Sequence, residues 1–324
     1  MDAPLWKFLP ARLAHSLAPW GLKYFADKMP EDTPAWRSFT WKGLHFANRL
    51  GIAGGLDKNA SHLTLWQRLG VGFIEIGTVT PYAQSANRGK ILDRDWDQKN
   101  LWNKMGFPNH GSDEIYFNIL NEKSSLKVPI FVNIGKNRSR PNDEAELDYQ
   151  YLADRFSKAA DAFVINVSSP NTQGLRDLQS EETLGRLVSV VQQRAAGKPV
   201  LVKLSPDMTE EALHASIDTA LRYGAEGFVL TNTTLSRPPN CTFPKEGGLS
   251  GQSLADLSRK NLKSAISHLG SRRKDLLLVS VGGVLCPEDV EERLALGADL
   301  VQTYSGLIFY GPRFFRDTAK RINA

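Results

Sequence analysis

Eight short apolar runs, each leading through a turn into a helical pattern, repeat along the chain from residue 50 onward. They are Leu50–Gly55, Phe73–Thr80, Pro129–Gly135, Ala162–Ser169, Pro199–Ser205, Gly227–Thr233, Leu276–Gly283 and Ala298–Gly306. Each is rich in Val, Ile, Leu or Phe with little polar alternation, the pattern of parallel strands buried on both faces. Helical stretches such as Glu182–Ala196, Glu210–Gly224, Leu254–Gly270 and Pro287–Gly297 separate them. One of these opens on Thr209-Glu210-Glu211 and closes on Gly224, as helix start and stop chemistry requires. Eight such units predict an α/β fold of the (β/α)8 TIM-barrel type. A doubly wound open sheet is the alternative, because counting units does not establish closure. A length of 324 residues would suit two average domains. The repeat instead runs through most of it, leaving residues 1–40 as a small helical extension ahead of one barrel over 41–324.

Two polar insertions break the rhythm, roughly Tyr82–Asn109 after the second strand and Arg237–Gly248 after the sixth. Both follow strand ends at the face where barrel active sites form, so they read as lids or binding loops. The N-terminal segment differs in kind, since Trp6, Trp20, Trp36 and Trp41 account for four of the seven tryptophans. Leu9, Leu13 and Leu17 share one face of a helix that Pro10 can start and Pro19 should end, and Leu22 and Phe25 mark a second short helix. Phe39–Asn48 reads as a hairpin leading into the first strand. The helices either cap the barrel or form an interfacial module, with Lys7, Arg12 and Lys23 toward lipid headgroups.

Composition narrows the partners. Lys and Arg number 40 against 35 Asp and Glu, a net charge of +5 that favours anionic ligands. No basic run exceeds Arg272-Arg273-Lys274, so nucleic acid is not an expected partner. Cys241 and Cys286 are the only cysteines and form no Cys-x-x-Cys, which argues against a disulfide framework, a zinc site or an iron–sulfur cluster. No metal is expected, and the compartment is a reducing one. No apolar stretch approaches the roughly 18 residues a membrane span needs. Pro4, Pro10 and Pro19 break up any signal-peptide core.

Chemistry concentrates at strand ends. Gly54-Gly55-Leu56-Asp57-Lys58 combines close backbone approach with a lysine at the functional face. Val281-Gly282-Gly283 and Tyr304-Ser305-Gly306 follow the seventh and eighth strands, where barrels bind phosphate. Amides are unusually frequent: Asn133, Asn166 before Ser168-Ser169-Pro170-Asn171-Thr172, Asn232 within Thr231-Asn232-Thr233, and Asn103 in an Asn-Lys-Met-Gly-Phe run. Lys203 stands in the fifth strand. Asn is disfavoured in buried strands, and neutral amides suit a planar ring with alternating N–H and C=O groups better than a metal. Asx-turn chemistry explains any one of them but hardly five on one rim.

Ile165-Asn-Val-Ser-Ser-Pro-Asn-Thr-Gln-Gly-Leu-Arg176 closely resembles the dihydroorotate dehydrogenase family. So do Ala53–Lys58, Glu75–Pro81, Asn103–Phe107, Thr231–Leu235, Gly247–Gly251 and Leu300–Gly306, in the family's order. The soluble class carries a cysteine base where this chain has Ser169, so the resemblance is to the membrane-associated, quinone-reducing class. The Pro10–His15 run is similar to the start of that class's N-terminal extension. The resemblance implies oxidation of (S)-dihydroorotate to orotate in pyrimidine (UMP) synthesis, with FMN as hydride acceptor and a membrane quinone as final acceptor. It also implies peripheral attachment through the N-terminal helices, at the cytoplasmic face of a bacterial inner membrane.

By matching, Ser169 is the implied base, relayed through Thr172 and a water, while Lys58 bridges flavin and substrate. Asn103, Met105, Gly106, Phe107, Asn166, Asn171, Asn232 and Thr233 are implied to hold the substrate. Ala53, Gly54, Gly55, Lys58, Thr78, Asn133, Asn166, Lys203 and Thr231 are implied to line the flavin, with Gly251, Gly283, Tyr304 and Ser305 around its ribityl chain and phosphate. Arg94 keeps the register of an arginine facing the quinone tunnel. Two departures stand out: Asp93 within Lys90-Ile-Leu-Asp-Arg94 is less apolar than the family pattern, and Ser280 stands where glycine is commoner. A related flavin barrel with another substrate or acceptor, and a non-catalytic phosphate-binding barrel, are the alternatives.

Overall fold

A computed structural model of the chain describes residues 4–323. A hairpin comes first, β1 (Phe39–Trp41) and β2 (Leu44–Phe46), turned over Lys42 and Gly43 at positive φ (47° and 78°). Such two-residue turns match the natural twist of paired strands. Then follow the barrel strands β3 (Leu50–Asp57), β4 (Phe73–Val79), β7 (Ile130–Ile134), β8 (Ala162–Asn166), β9 (Val200–Leu204), β10 (Gly227–Leu230), β12 (Leu277–Val281) and β13 (Leu300–Thr303). All pair in parallel and close into a barrel through β13 and β3, which excludes the open sheet.

The sheet closes because each strand is apolar on both sides. Outward-facing residues such as Ile74, Val132, Phe163 and Leu278 pack under the helices. Inward-facing Phe73, Phe131, Val164, Leu201, Val229 and Leu277 fill the interior. The hairpin plugs the N-terminal end: Phe46 lies edge-on to Phe73 and Phe131, at centroid distances of 6.0 and 6.2 Å. With the bottom sealed, only the C-terminal face is open to ligands.

The insertions are not open loops. β5 (Leu92–Asp95) and β6 (Asn100–Asn103) come from the first, and β11 (Gly248–Gly251) closes the second. They pair as one antiparallel sheet in the order β11-β6-β5 across the barrel mouth. Pairing between segments about 150 residues apart in sequence hides this sheet from local pattern reading.

The N-terminal expectation needs correcting. α1 (Ala11–Ala26) is one helix that continues through Pro19, not two helices divided there. Pro19 lacks the N–H that would donate to His15. It is nevertheless exposed, and Leu22, Phe25 and Ala26 pack the following turn onto the barrel. Tertiary packing therefore outweighs one lost hydrogen bond. Of the N-terminal tryptophans, Trp36 is buried in the core, Trp41 donates to Asp275 O at 3.2 Å and Trp6 donates to Ile308 O at 2.9 Å; Trp20 is 75% exposed.

Candidate active site

At the floor of the open end sits a carboxylate that strand patterning conceals. Glu75, within the apolar run of β4, is completely buried. Its Oε1 accepts from Lys203 Nζ at 2.9 Å and Asn133 Nδ2 at 2.6 Å, and its Oε2 accepts from Gln302 Nε2 at 2.7 Å. β4, β7, β9 and β13 thereby converge on one charge. Asn133 Oδ1 accepts in turn from Asn166 Nδ2 at 3.2 Å, which also donates to Thr78 Oγ1 at 2.8 Å. A Cβ on Gly54 would fall 2.4 Å from Glu75 Oε1, so glycine is what lets β3 approach this network.

Above it the amides meet. Asn166 Oδ1 accepts from Ser168 Oγ at 3.0 Å, and Asn232 Nδ2 donates to the same hydroxyl at 3.0 Å. Asn171 Nδ2 donates to Asn103 Oδ1 at 2.7 Å, joining the loop after β8 to the insertion sheet. Ser169 is buried and its Oγ accepts from Asn171 N at 3.2 Å. Arg176 clamps the two catalytic-face loops together, donating to Ser168 O and Thr233 O at 3.0 Å each and pairing with Asp207 at 2.8 Å.

The rim is unsatisfied in a telling way. Asn171 Oδ1, Thr172 Oγ1 and Thr233 Oγ1 are buried without a hydrogen-bond partner. Each such group costs about 1–3 kcal/mol. Asn171 and Thr233 face the cavity, so a ligand with ring N–H and carboxylate groups would relieve them.

One cavity of about 720 Å³ runs from these residues to α1. Ala53, Gly55, Met105, Gly106, Phe107 and Thr231 line its inner part with Lys58, Ser169 and Lys203. Lys58 Nζ donates to Gly55 O at 2.6 Å, and burial pushes its ammonium down to about 8 against the opposing pull of Asp57. Gly282, Gly283, Tyr304 and Ser305 form the wall where the phosphate was expected. Gly283 has φ +72°, and a Cβ there would lie 2.4 Å from Ala255 Cα, so the turn can pack this closely only as glycine.

Toward α1 the lining becomes apolar, with Leu9, Ala14, Leu17 and Phe25. Arg94 is the cation in this part. It donates to Trp6 O at 2.7 Å and to Leu9 O, tying the insertion sheet to the N-terminal segment. Burial lowers its guanidinium below the usual range. The charge of Asp93 beside it is countered by Lys90 at 2.5 Å.

Three sequence-derived positions lie outside the lining. Asn133 supports the floor from beneath, and Thr172 makes no direct hydrogen bond to Ser169. Gly251 faces the insertion hairpin, where a Cβ would meet Lys99 O at 2.1 Å. Conversely, Glu75, Gln302 and Arg176 went unassigned. The available signal was Glu75 itself, a charged residue in a buried strand that demands an opposite partner. No His, Cys, Asp and Glu cluster suited to a metal occurs among the described residues.

Comparison with known proteins identifies the family. The sequence profile of the family described as dihydroorotate dehydrogenase matches residues 38–324. The dihydroorotate dehydrogenase (quinone) of Xylella fastidiosa strain M12 is 40% identical over 291 residues, covering 86% of this chain and 82% of that protein. The protein of that name from Deinococcus radiodurans is 42% identical over 286 residues, covering 84% and 75%. The crystal structure of DHODH from Eimeria tenella in complex with ferulenol superposes with a TM-score of 0.87 at 29% identity, covering 97% of this chain and 92% of that one. The chain therefore belongs to the dihydroorotate dehydrogenase family, in its quinone-dependent branch, and is an oxidoreductase.

Proposed function

We propose that this protein oxidises (S)-dihydroorotate to orotate with FMN as the resident hydride acceptor and a membrane quinone as the final acceptor. The observation that carries the reading is the single cavity that places Ser169, Lys58 and Lys203 at one end and an apolar, Arg94-marked channel under α1 at the other.

Ser169 Oγ takes the proton that leaves one substrate carbon as a hydride leaves its neighbour. A serine hydroxyl is a weak base, so the proton must move on; the unpartnered Thr172 Oγ1, through a water, is the route assigned to it. Asn103, Asn171, Asn232 and Thr233 hold the ring and carboxylate, and Lys58 supplies the positive charge that orients the anion. Neutral amides suit this task because they donate and accept without competing for the proton.

The flavin, when bound, supplies hydride acceptance and onward electron transfer. Thr78, Asn166, Lys203 and Thr231 would hold its ring, and Gly283, Tyr304 and Ser305 its phosphate end. Lys203 would sit at the ring as a hydrogen-bond donor, and Glu75, itself held by Gln302, keeps that lysine in place.

Residues 1–40 serve as the quinone-access extension and the membrane contact, the catalytic barrel following from 41. Phe8, Leu13, Trp20 and Tyr24 leave an exposed apolar face on the N-terminal segment, and Lys7, Arg12 and Lys23 flank it. That exposed apolar face with its flanking cations suits contact at the membrane interface, and no helix among the described residues is long and apolar enough to cross a membrane.

The reading is tested by stoichiometry. Each orotate formed should be matched by one quinone reduced, with anaerobic conditions leaving the rate unchanged. Turnover that proceeds only with a nicotinamide nucleotide or oxygen would overturn the acceptor assignment.

A further inference from the structure

Arg293 lies on the helix Pro287–Ala295 and is sealed from solvent at 0% exposure. Among the described residues no carboxylate oxygen lies within 4.0 Å of its guanidinium. Its donors end on neutral acceptors: Nη1 on Ser280 Oγ at 3.1 Å, and Nη2 on Gly282 O at 2.9 Å and Ala255 O at 3.0 Å. Nε has no partner. Burial pushes the guanidinium down to about 10, which leaves it charged at neutral pH. The carboxylates of Glu292, Asp289 and Asp256 act on it only through space, against the like charge of Arg259, so no counter-ion is bonded to it. A bound anion nearby would offset a buried cation that is otherwise costly.

All three acceptors belong to two elements that meet at the cavity wall. Ser280 and Gly282 are at the end of β12 and its turn, and Ala255 is in the first turn of the helix Gln252–Leu269. Gly282 and Gly283 line the cavity. In a planar trans peptide the C=O and N–H point in opposite directions. Drawing Gly282 O back toward Arg293 therefore turns Gly283 N–H away from the guanidinium. Ser258 Oγ fixes the same carbonyl from a second direction at 2.7 Å.

We propose that Arg293, seated on Ser280, is a positioning residue for the flavin phosphate: a fixed charge behind the Gly282-Gly283 turn that offsets the phosphate and aims the Gly283 amide. Ser280, the departure from the family's commoner glycine, thereby gains a purpose as the acceptor for Nη1. The inference rests on the FMN reading above.

The test compares two ligands that differ only in the phosphate. Apoprotein of the full chain is titrated with FMN and with riboflavin, following flavin fluorescence, and thermal melting is recorded alongside. Arg293→Gln should weaken FMN binding at least about tenfold more than riboflavin binding, a difference of about 1.4 kcal/mol. Arg293→Lys keeps the charge and should hold the FMN-to-riboflavin affinity ratio within about threefold of wild type. Equal losses for both ligands in Arg293→Gln would reduce the residue to a packing role and overturn the proposal. Should that variant fail to fold, Arg293→Lys decides, since a collapse of discrimination with the charge retained also overturns it. Wild-type apoprotein that binds neither flavin would instead overturn the FMN reading itself.

Discussion

Lys203 Nζ and Glu75 Oε1 lie 2.9 Å apart in the closed interior of the barrel, with side-chain exposures of 6% and 0%. This pair is the structural floor of the site. Removing one member of a buried pair leaves the other uncompensated, so Glu75→Gln should cost about 3–5 kcal/mol in denaturant unfolding. A loss below about 1 kcal/mol would mean that a neutral amide oxygen at this position holds Lys203 as well as the carboxylate does.

Ser169→Ala removes the proposed proton acceptor but none of the groups at the flavin end. It should slow flavin reduction about 10²–10⁴-fold while the protein retains its flavin. Near-normal reduction would refute the base assignment. Thr172→Val should slow the same step less, because Thr172 acts on the proton only after Ser169 has taken it.

Lys58 titrates within reach of ordinary assays. Its ammonium is charged below about pH 8 and neutral above. Affinity of the resting protein for the anion orotate should therefore fall as pH rises through about 8, and Lys58→Arg should move that inflection out of range. The sign for folding is opposite. The buried group sits below its ordinary 10.5, so ligand-free protein should gain stability between about pH 8 and 10.5. A binding profile flat across this window would remove Lys58 from the anion site.

The eight strands are legible in the sequence because they are continuous apolar runs buried on both faces, whereas their closure into a barrel is not, since an open sheet would read the same way. β5, β6 and β11 are not legible: Leu-Asp-Arg-Asp and Gly-Leu-Ser-Gly carry no apolar pattern, and their pairing depends on residues far apart in the chain. α1 misleads for a different reason, since Pro19 breaks a local rule that packing at Leu22 and Phe25 overrides. The cavity-facing residues were largely readable from Asn, Lys and Gly at strand ends. Glu75 offered one signal, a charge inside a buried strand, whereas Gln302 offered none because the apolar run around it reads as plain core.

α1 should matter to one half of turnover only. Trp20→Glu places a charge on the exposed apolar face and should weaken binding to anionic vesicles without slowing flavin reduction by dihydroorotate. A truncation ahead of Lys28 spares the core residue Trp36 and the Arg316 bonds to Pro30 O and Asp32 O at 2.7 Å, and gives up the packing of Leu22, Phe25 and Ala26. It should lose quinone reduction far more than flavin reduction. Equal losses would make the segment purely structural.

The most direct measurement is anaerobic mixing of the purified protein with dihydroorotate while flavin absorbance is followed. The protein should arrive yellow, bleach on mixing without any other reductant, and recover its colour when a quinone is added. A yellow protein that dihydroorotate leaves unbleached would contradict the substrate, and a colourless one that FMN cannot reconstitute would contradict the chemistry proposed for the whole cavity.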